Sequence, residues 1–330
     1  MSTNGVNGSN GHHDEDGEVD VDDPELQSYF TERNGRRYHT GTSPYPLPLD
    51  NLEVQRFVTE HNIIRDVLGH LYITPDNVRQ VLSDNGVAKN VVDLATGNGK
   101  WIRDMAAEFP HVDFHGVDIV PLAPRNYLEN VYFELDDIRN QTREPTTVDV
   151  VHIRSAFMAT SEYGRIVQEA ARILKPEGLL LATEWQQSIS IQPGAPFPPG
   201  ISTMVEYVPN LCRFYSTLHT ALRNRNLNAD VPAHLSDVVN AFPQLFHAPV
   251  HAEGHFVPIG TWSGTEQGRH IGNRMRAVVR RYMDSCRHLL AGELSEDAVD
   301  GVIAGSQAEM DMERSGLCLV FQAVAAVRRS

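Results

Sequence analysis

Apolar positions along the chain switch repeatedly between short β-branched runs and stripes at helical spacing. That is the pattern of strands interleaved with helices. Buried-strand runs fall at 91–92, 112–119, 131–135, 148–154 and 179–185. Directly after the first run, Trp101, Ile102, Met105 and Phe109 share one helical face. Such alternation predicts a mostly parallel sheet with helices on both faces. Upstream, Val54, Phe57, Val58, His61, Ile64 and Leu68 form an amphipathic stripe. Asp50 reads as its N-cap and Glu53 as N3 of a capping-box-like start. Thr74-Pro75 opens a further helix that Asp84-Asn85-Gly86 ends. Downstream, Met204, Tyr207, Leu211, Phe214, Tyr215 and Leu218 recur at helical spacing. A long helix runs from Glu266 to about Leu290, and 316–327 reads as a closing antiparallel strand.

The first strand ends in Asp93-Leu94-Ala95-Thr96-Gly97-Asn98-Gly99, and a helix follows at once. Glycines let a backbone approach a ligand where a Cβ would clash, and the helix start presents free N–H groups. A dinucleotide site would need a third glycine where Ile102 stands. The second strand ends in Asp118, about 20 residues past the glycines, where an acid meets ribose hydroxyls in such folds. The third ends in Asp136-Asp137-Ile138.

The set Asp93, Ala95, Gly97 and Gly99 resembles motif I of the Rossmann-like methyltransferases that use S-adenosylmethionine, and Leu174-Lys-Pro-Glu-Gly178 resembles another of their landmarks. More narrowly, Tyr45-Pro-Leu-Pro-Leu-Asp50 and the 92–101 turn resemble the fungal LaeA-like methyltransferases, with Leu49 where asparagine is usual and Ala95 at the first glycine place. The likeness covers roughly residues 40–185. It implies an α/β fold with a seven-stranded, mostly parallel sheet, an N-terminal helical lid over 39–89 and a methyltransferase domain over 90–330. A helical insertion after strand five, at about 186–245, would cap the acceptor. The resemblance implies cofactor contacts from Asp93, Ala95, Thr96, Gly97, Gly99, Asp118, Ile119, Asp137, Ile138 and Arg154. Asp137 would face the adenine amino group, with Ile138 beside the ring, and 45–68 would fold over the pocket. Tyr45, Trp185, Tyr207 and Phe214 are candidate acceptor contacts.

Methyl transfer requires a general base only when the acceptor carries a proton. Candidates for catalytic roles are His61, Arg154, Glu184 and His219, with Ser155 and His255 also within reach of a pocket. His152 lies inside a strand and reads as structural. The reading is O-methylation of a small molecule in secondary metabolism; the alternatives are N-methylation and a LaeA-type nuclear regulator acting through protein partners.

Composition narrows the setting. The 330 residues carry a net charge of −15, and residues 1–35 hold nine acids against one base. That stretch cannot bury enough apolar surface to order itself, so 1–38 reads as a disordered acidic tail. An acidic chain argues against phosphate-backbone binding. No apolar run approaches the ~20 residues of a membrane span, and no signal sequence is evident. With three scattered cysteines this favours a soluble protein of the cytosol, the nucleus being the other compartment the composition allows. His247, His251 and His255 recur every four residues, but Pro249 and Gly254 break a helix there and a strand spaces them too widely for one metal, so no metal is expected. Six arginines between Arg269 and Arg287 read as a solvated basic face.

Overall fold

The computed structural model describes residues 26–41, 43–123, 128–195 and 197–330. The expected tail lies outside the described residues as far as 25, but its last part is ordered. Phe30–Arg33 (β1) and Arg36–His39 (β2) pair as an antiparallel hairpin. Polar composition predicted disorder there; docking overrides it. Arg36 Nη2 donates to Asp50 Oδ1 at 3.1 Å, and Tyr38 meets His288 edge-on at 5.1 Å.

Asn51–Leu68 (α1) begins at Asp50, which accepts from the Glu53 N–H, and stops at Gly69, whose φ is 72°. Glu53 does not return the capping bond, because Arg56 and Ser285 take its carboxylate. The buried face also differs from the predicted stripe. Val54, Phe57, Val58 and Leu68 are half-buried, whereas Glu53, Arg56 and Glu60 are buried beside His61, Ile63 and Ile64. Pro75–Val81 (α2) follows.

The doubly wound body runs Lys89–Leu94 (β3), Lys100–Glu108 (α3), Val112–Asp118 (β4), Val131–Leu135 (β5), Val148–Arg154 (β6), Tyr163–Ile173 (α4) and Leu174–Ile191 (β7). Then come Met204–Tyr207 (α5), Pro209–Arg223 (α6), Leu235–Asn240 (α7), His251–Pro258 (β8), Glu266–Leu290 (α8), Glu296–Asp311 (α9) and Leu317–Val327 (β9). Seven strands form one sheet in the order β5-β4-β3-β6-β7-β9-β8. The first five of these pair in parallel, and β9 runs antiparallel to both β7 and β8. The chain order reverses at β3, the crevice where ligands sit in open α/β sheets. β6 is apolar along most of its length because both its faces are covered.

Strand five was expected over 179–185; β7 begins at Leu174 and continues to Ile191. Its register shifts opposite Val148 and Val150, where Gly178 sits so close to the Lys175 carbonyl that a Cβ would meet it at 2.8 Å. The helical insertion therefore starts after 191, and a second one, α8 with α9, lies between β8 and β9. α8 is more than a basic surface helix. Ile271, Met275, Val278, Val279 and Met283 are buried, and the helix packs on α1. Of its arginines, Arg274 pairs with Asp66, Arg276 with Glu313 at 2.5 Å, and Arg280 with Asp311. Among the described residues no helix is long and apolar enough to cross a membrane.

Candidate active site

The turn after β3 is held from below. Asp93 is buried; one of its oxygens accepts from Thr96 Oγ1 at 2.7 Å and the other lies 2.6 Å from His152 Nδ1. His152 in turn stacks flat on Trp101 with centroids 3.6 Å apart. Asp93, predicted to touch the cofactor, therefore props the turn from within and lines none of the cavities described below. Gly99 has φ 70°, and a Cβ there would meet Phe133 at 2.5 Å, so the position admits glycine alone. Ala95 holds φ 61° without glycine's freedom, a left-handed conformation that costs a Cβ-bearing residue about 1–2 kcal/mol.

Above the turn lies a cavity with about 850 Å³ of empty space. Its floor is Ala95, Thr96, Gly97 and Asn98; Asp118, Ile119 and Val120 come from the end of β4, and Arg154 and Ser155 from the end of β6. Tyr45, Leu49, Phe57, Glu60 and Ile64 form the wall supplied by the N-terminal segment. Beyond Asp118 and Ile119 the space continues past Asp137, Ile138 and Arg139. Asp118 Oδ2 accepts from the Gly97 N–H at 2.8 Å and Oδ1 from the Ile119 N–H at 2.8 Å. Burial pushes this carboxyl up to about 6 despite those bonds. Asp137 is clamped by Arg139, with 2.6 Å between Nη2 and Oδ2.

Arg154 is the unusual group. Its side chain is half-buried, and no carboxylate of the described residues lies within ion-pair distance of it. Its Nη1 donates to His61 Nδ1 at 3.1 Å, and His61 Nε2 lies 2.9 Å from Asp104. Burial pulls His61 down to about 4, so the neutral ring donates to Asp104 and accepts from Arg154. His61 lines neither of the two principal cavities and serves to orient the arginine.

A second cavity, with about 570 Å³ of empty space, adjoins the first and shares Tyr45, Phe57, Glu60 and Ser155 with it. Phe157, Met158, Glu184, Trp185, Gln187 and Tyr215 line it from the β6–β7 side and α6. Arg56 of α1 and Met275, Val278, Val279 and Tyr282 of α8 close the opposite side. Glu184 is fully buried, accepts from the Ala156 N–H at 2.8 Å, and is pushed up to about 8 by that burial. Of the predicted acceptor contacts, Tyr45 and Trp185 are here and two are not. Tyr207 donates to the Ser315 carbonyl at 2.8 Å, and Phe214 is buried behind Tyr215 and Tyr282. His219 bonds the Gln187 carbonyl at 2.7 Å and faces a surface groove ending at Asp230. His255 and His251 both bond Glu253, and no three His, Cys, Asp or Glu gather as a metal site among the described residues. Arg56, Glu60 and Tyr282 were missed, the available signal being the i, i+3, i+7 spacing of Glu53, Arg56 and Glu60 on α1; Tyr215 stood in the helical stripe but not among the candidate contacts.

Residues 65–230 match the family described as a methyltransferase domain. The chain is 29% identical over 262 residues to the secondary metabolism regulator laeA of Coprinopsis cinerea, covering 78% of this chain and 63% of that protein. It is 26% identical over 189 residues to methyltransferase pytC of Aspergillus terreus, covering 53% of this chain and 55% of that one. It thus spans less than two thirds of either relative's length. Among solved structures it is similar to Haemonchus contortus phosphoethanolamine N-methyltransferase 2 in complex with S-adenosyl-L-methionine, at 15% identity and a TM-score of 0.43, covering 93% of this chain and 72% of that one. With half of its 330 residues matched by the family, the chain belongs to the methyltransferase-domain proteins.

Proposed function

We propose that this protein is an S-adenosylmethionine-dependent methyltransferase that acts on an oxygen of a small molecule. The observation that carries the reading is the pairing of two adjoining cavities with opposite equipment. The first has a glycine turn at a topological switch point and a half-buried cation, Arg154, with no carboxylate of the described residues in ion-pair distance. A guanidinium drawn partly out of water without an anion is costly unless something negative meets it. The methionine carboxylate of the cofactor fits that need. Asp118 is the group for the ribose hydroxyls, and Ile119 and Ile138 flank the space for the adenine, with Asp137 at its rim. When bound, S-adenosylmethionine supplies a methyl group on a sulfonium sulfur. The chain's own part is to exclude water, orient the acceptor and take its proton where it has one.

The second cavity, reached past Ser155, is then the acceptor's place. N-methylation of a small molecule is the alternative use of the same arrangement, since a carboxylate that takes a hydroxyl proton can also relieve an ammonium of one. The similarity to a protein named as a regulator supports a second reading, in which the fold serves protein partners. A lined cavity beside the cofactor space weighs for chemistry. Calorimetric titration with S-adenosylmethionine tests the proposal: binding by the wild type and its loss in Asp118→Ala are expected, and no heat from the wild type would overturn it.

A further inference from the structure

We propose that the second cavity selects a neutral, flat aromatic molecule bearing a hydroxyl, and that Glu60 accepts the hydrogen bond of that hydroxyl at the seam with the first cavity. The inference rests on the methyltransferase reading and adds the acceptor's chemical class to it.

The walls argue for the ring. Phe57, Phe157, Trp185, Tyr215 and Tyr282 present aromatic surface, and Met158 and Met275 supply adaptable contacts between them.

The charges argue against an anion. Among the described residues Arg56 is the one cation on these walls, and its donors are already taken. Its Nε and Nη2 donate to Glu53 Oε2 at 2.8 and 2.6 Å, and its Nη1 to Glu60 Oε1 at 2.6 Å. Glu53 and Glu60 thus take up this guanidinium, with Arg36 3.7 Å from Glu53 on its other side, and an acceptor carboxylate would bury a further negative charge against them. The first cavity is the reverse case, with Arg154 in ion-pair distance of no carboxylate among the described residues.

Glu60 occupies the decisive place. It lines both cavities, its side chain keeps 11% of its surface accessible, and among the described residues it is bonded by Arg56 through Oε1. The second oxygen is left for a donor. Burial raises its proton affinity even against Arg56, as suits a group that receives a hydroxyl proton.

The test uses the full chain saturated with S-adenosylhomocysteine and three probes of one ring system: 2-naphthol, 2-naphthoate and naphthalene, at pH 7. Affinities come from equilibrium competition. The proposal expects 2-naphthol to bind at least tenfold more tightly than either of the others, and Glu60→Gln to shrink its advantage over naphthalene to less than threefold while S-adenosylhomocysteine still binds. Naphthoate binding as tightly as naphthol overturns the charge argument; naphthalene doing so overturns the role of Glu60, whether or not the variant folds. Failure of all three on the cofactor-loaded protein overturns the aromatic class. Failure of S-adenosylhomocysteine itself to bind would instead sink the methyltransferase reading.

Discussion

The two cavities share a wall yet are built by different means. The first cavity takes its floor from a turn of consecutive residues, 95–98, its far side from the ends of β4 and β6, and its wall from the N-terminal segment. The second, the proposed acceptor cavity, is drawn from α1, the β6–β7 region, α6 and α8. Among the described residues, the first holds a cation with no carboxylate in ion-pair distance, and the one cation of the second is bonded by two carboxylates. A fold positions its sites, and the side chains grafted onto it decide what each member accepts.

Several substitutions would break or sharpen that contrast. The largest effect belongs to the acceptor wall. Arg56→Ala leaves Glu60 as a buried carboxylate without its partner, and Glu53 with only Ser285 and the more distant Arg36 at 3.7 Å, and should cost about 3–5 kcal/mol in chemical denaturation. A loss under about 1 kcal/mol would mean the network is solvated.

Next is the pH dependence set by Glu184. Its folded pKa of about 8 lies above the unfolded carboxylate value, so the folded state binds more protons between those two values. Stability from this group is full at low pH and is lost as pH rises through about 8. His61 has the opposite sign: held down to about 4, it favours unfolding as pH falls from its ordinary value toward 4. Glu184→Gln should therefore flatten the alkaline decline and gain about 2 kcal/mol over the wild type near pH 9. An unchanged alkaline limb would show that Glu184 does not titrate there.

On the cofactor side, His61→Ala removes the acceptor that orients Arg154. Affinity for S-adenosylhomocysteine should fall about tenfold, roughly 1.4 kcal/mol. Affinity for 5′-methylthioadenosine, which lacks the carboxylate, should barely change. Equal losses for both ligands would mean that His61 acts on the fold and not through the arginine. The smallest effect is expected at the strained turn, where Ala95→Gly should raise stability by about 0.5 kcal/mol, the relieved φ of 61° outweighing the added chain entropy.

The sequence announced the cofactor half because glycine, aspartate and strand ends recur at spacings that backbone geometry dictates. Thr96, Gly97, Asp118, Ile119, Ile138 and Arg154 all fall at its cavities. Asp93 lies behind that turn and supports it through Thr96 and His152. The acceptor half was far less legible, since it depends on the rotational phase of helices. A hydrophobic stripe placed Phe57 and Val58 inward on α1, but the ion pairs with Arg56 and the bond from Ser285 turn Glu53 and Glu60 inside. On α6 the same ambiguity separates Tyr215, which lines the cavity, from Phe214, which packs behind it. Residues 30–39 show a third limit, because polar composition says nothing of a hairpin stitched to its neighbours by Arg36 and Tyr38.

The most direct measurement is a crystal structure of the chain grown with S-adenosylhomocysteine. The account predicts the adenosyl group lying across the Thr96–Gly97 turn with its carboxylate on Arg154, and the Glu60 side of the second cavity left clear. A nucleoside bound elsewhere, or Arg154 paired with a carboxylate of the chain itself, would contradict it.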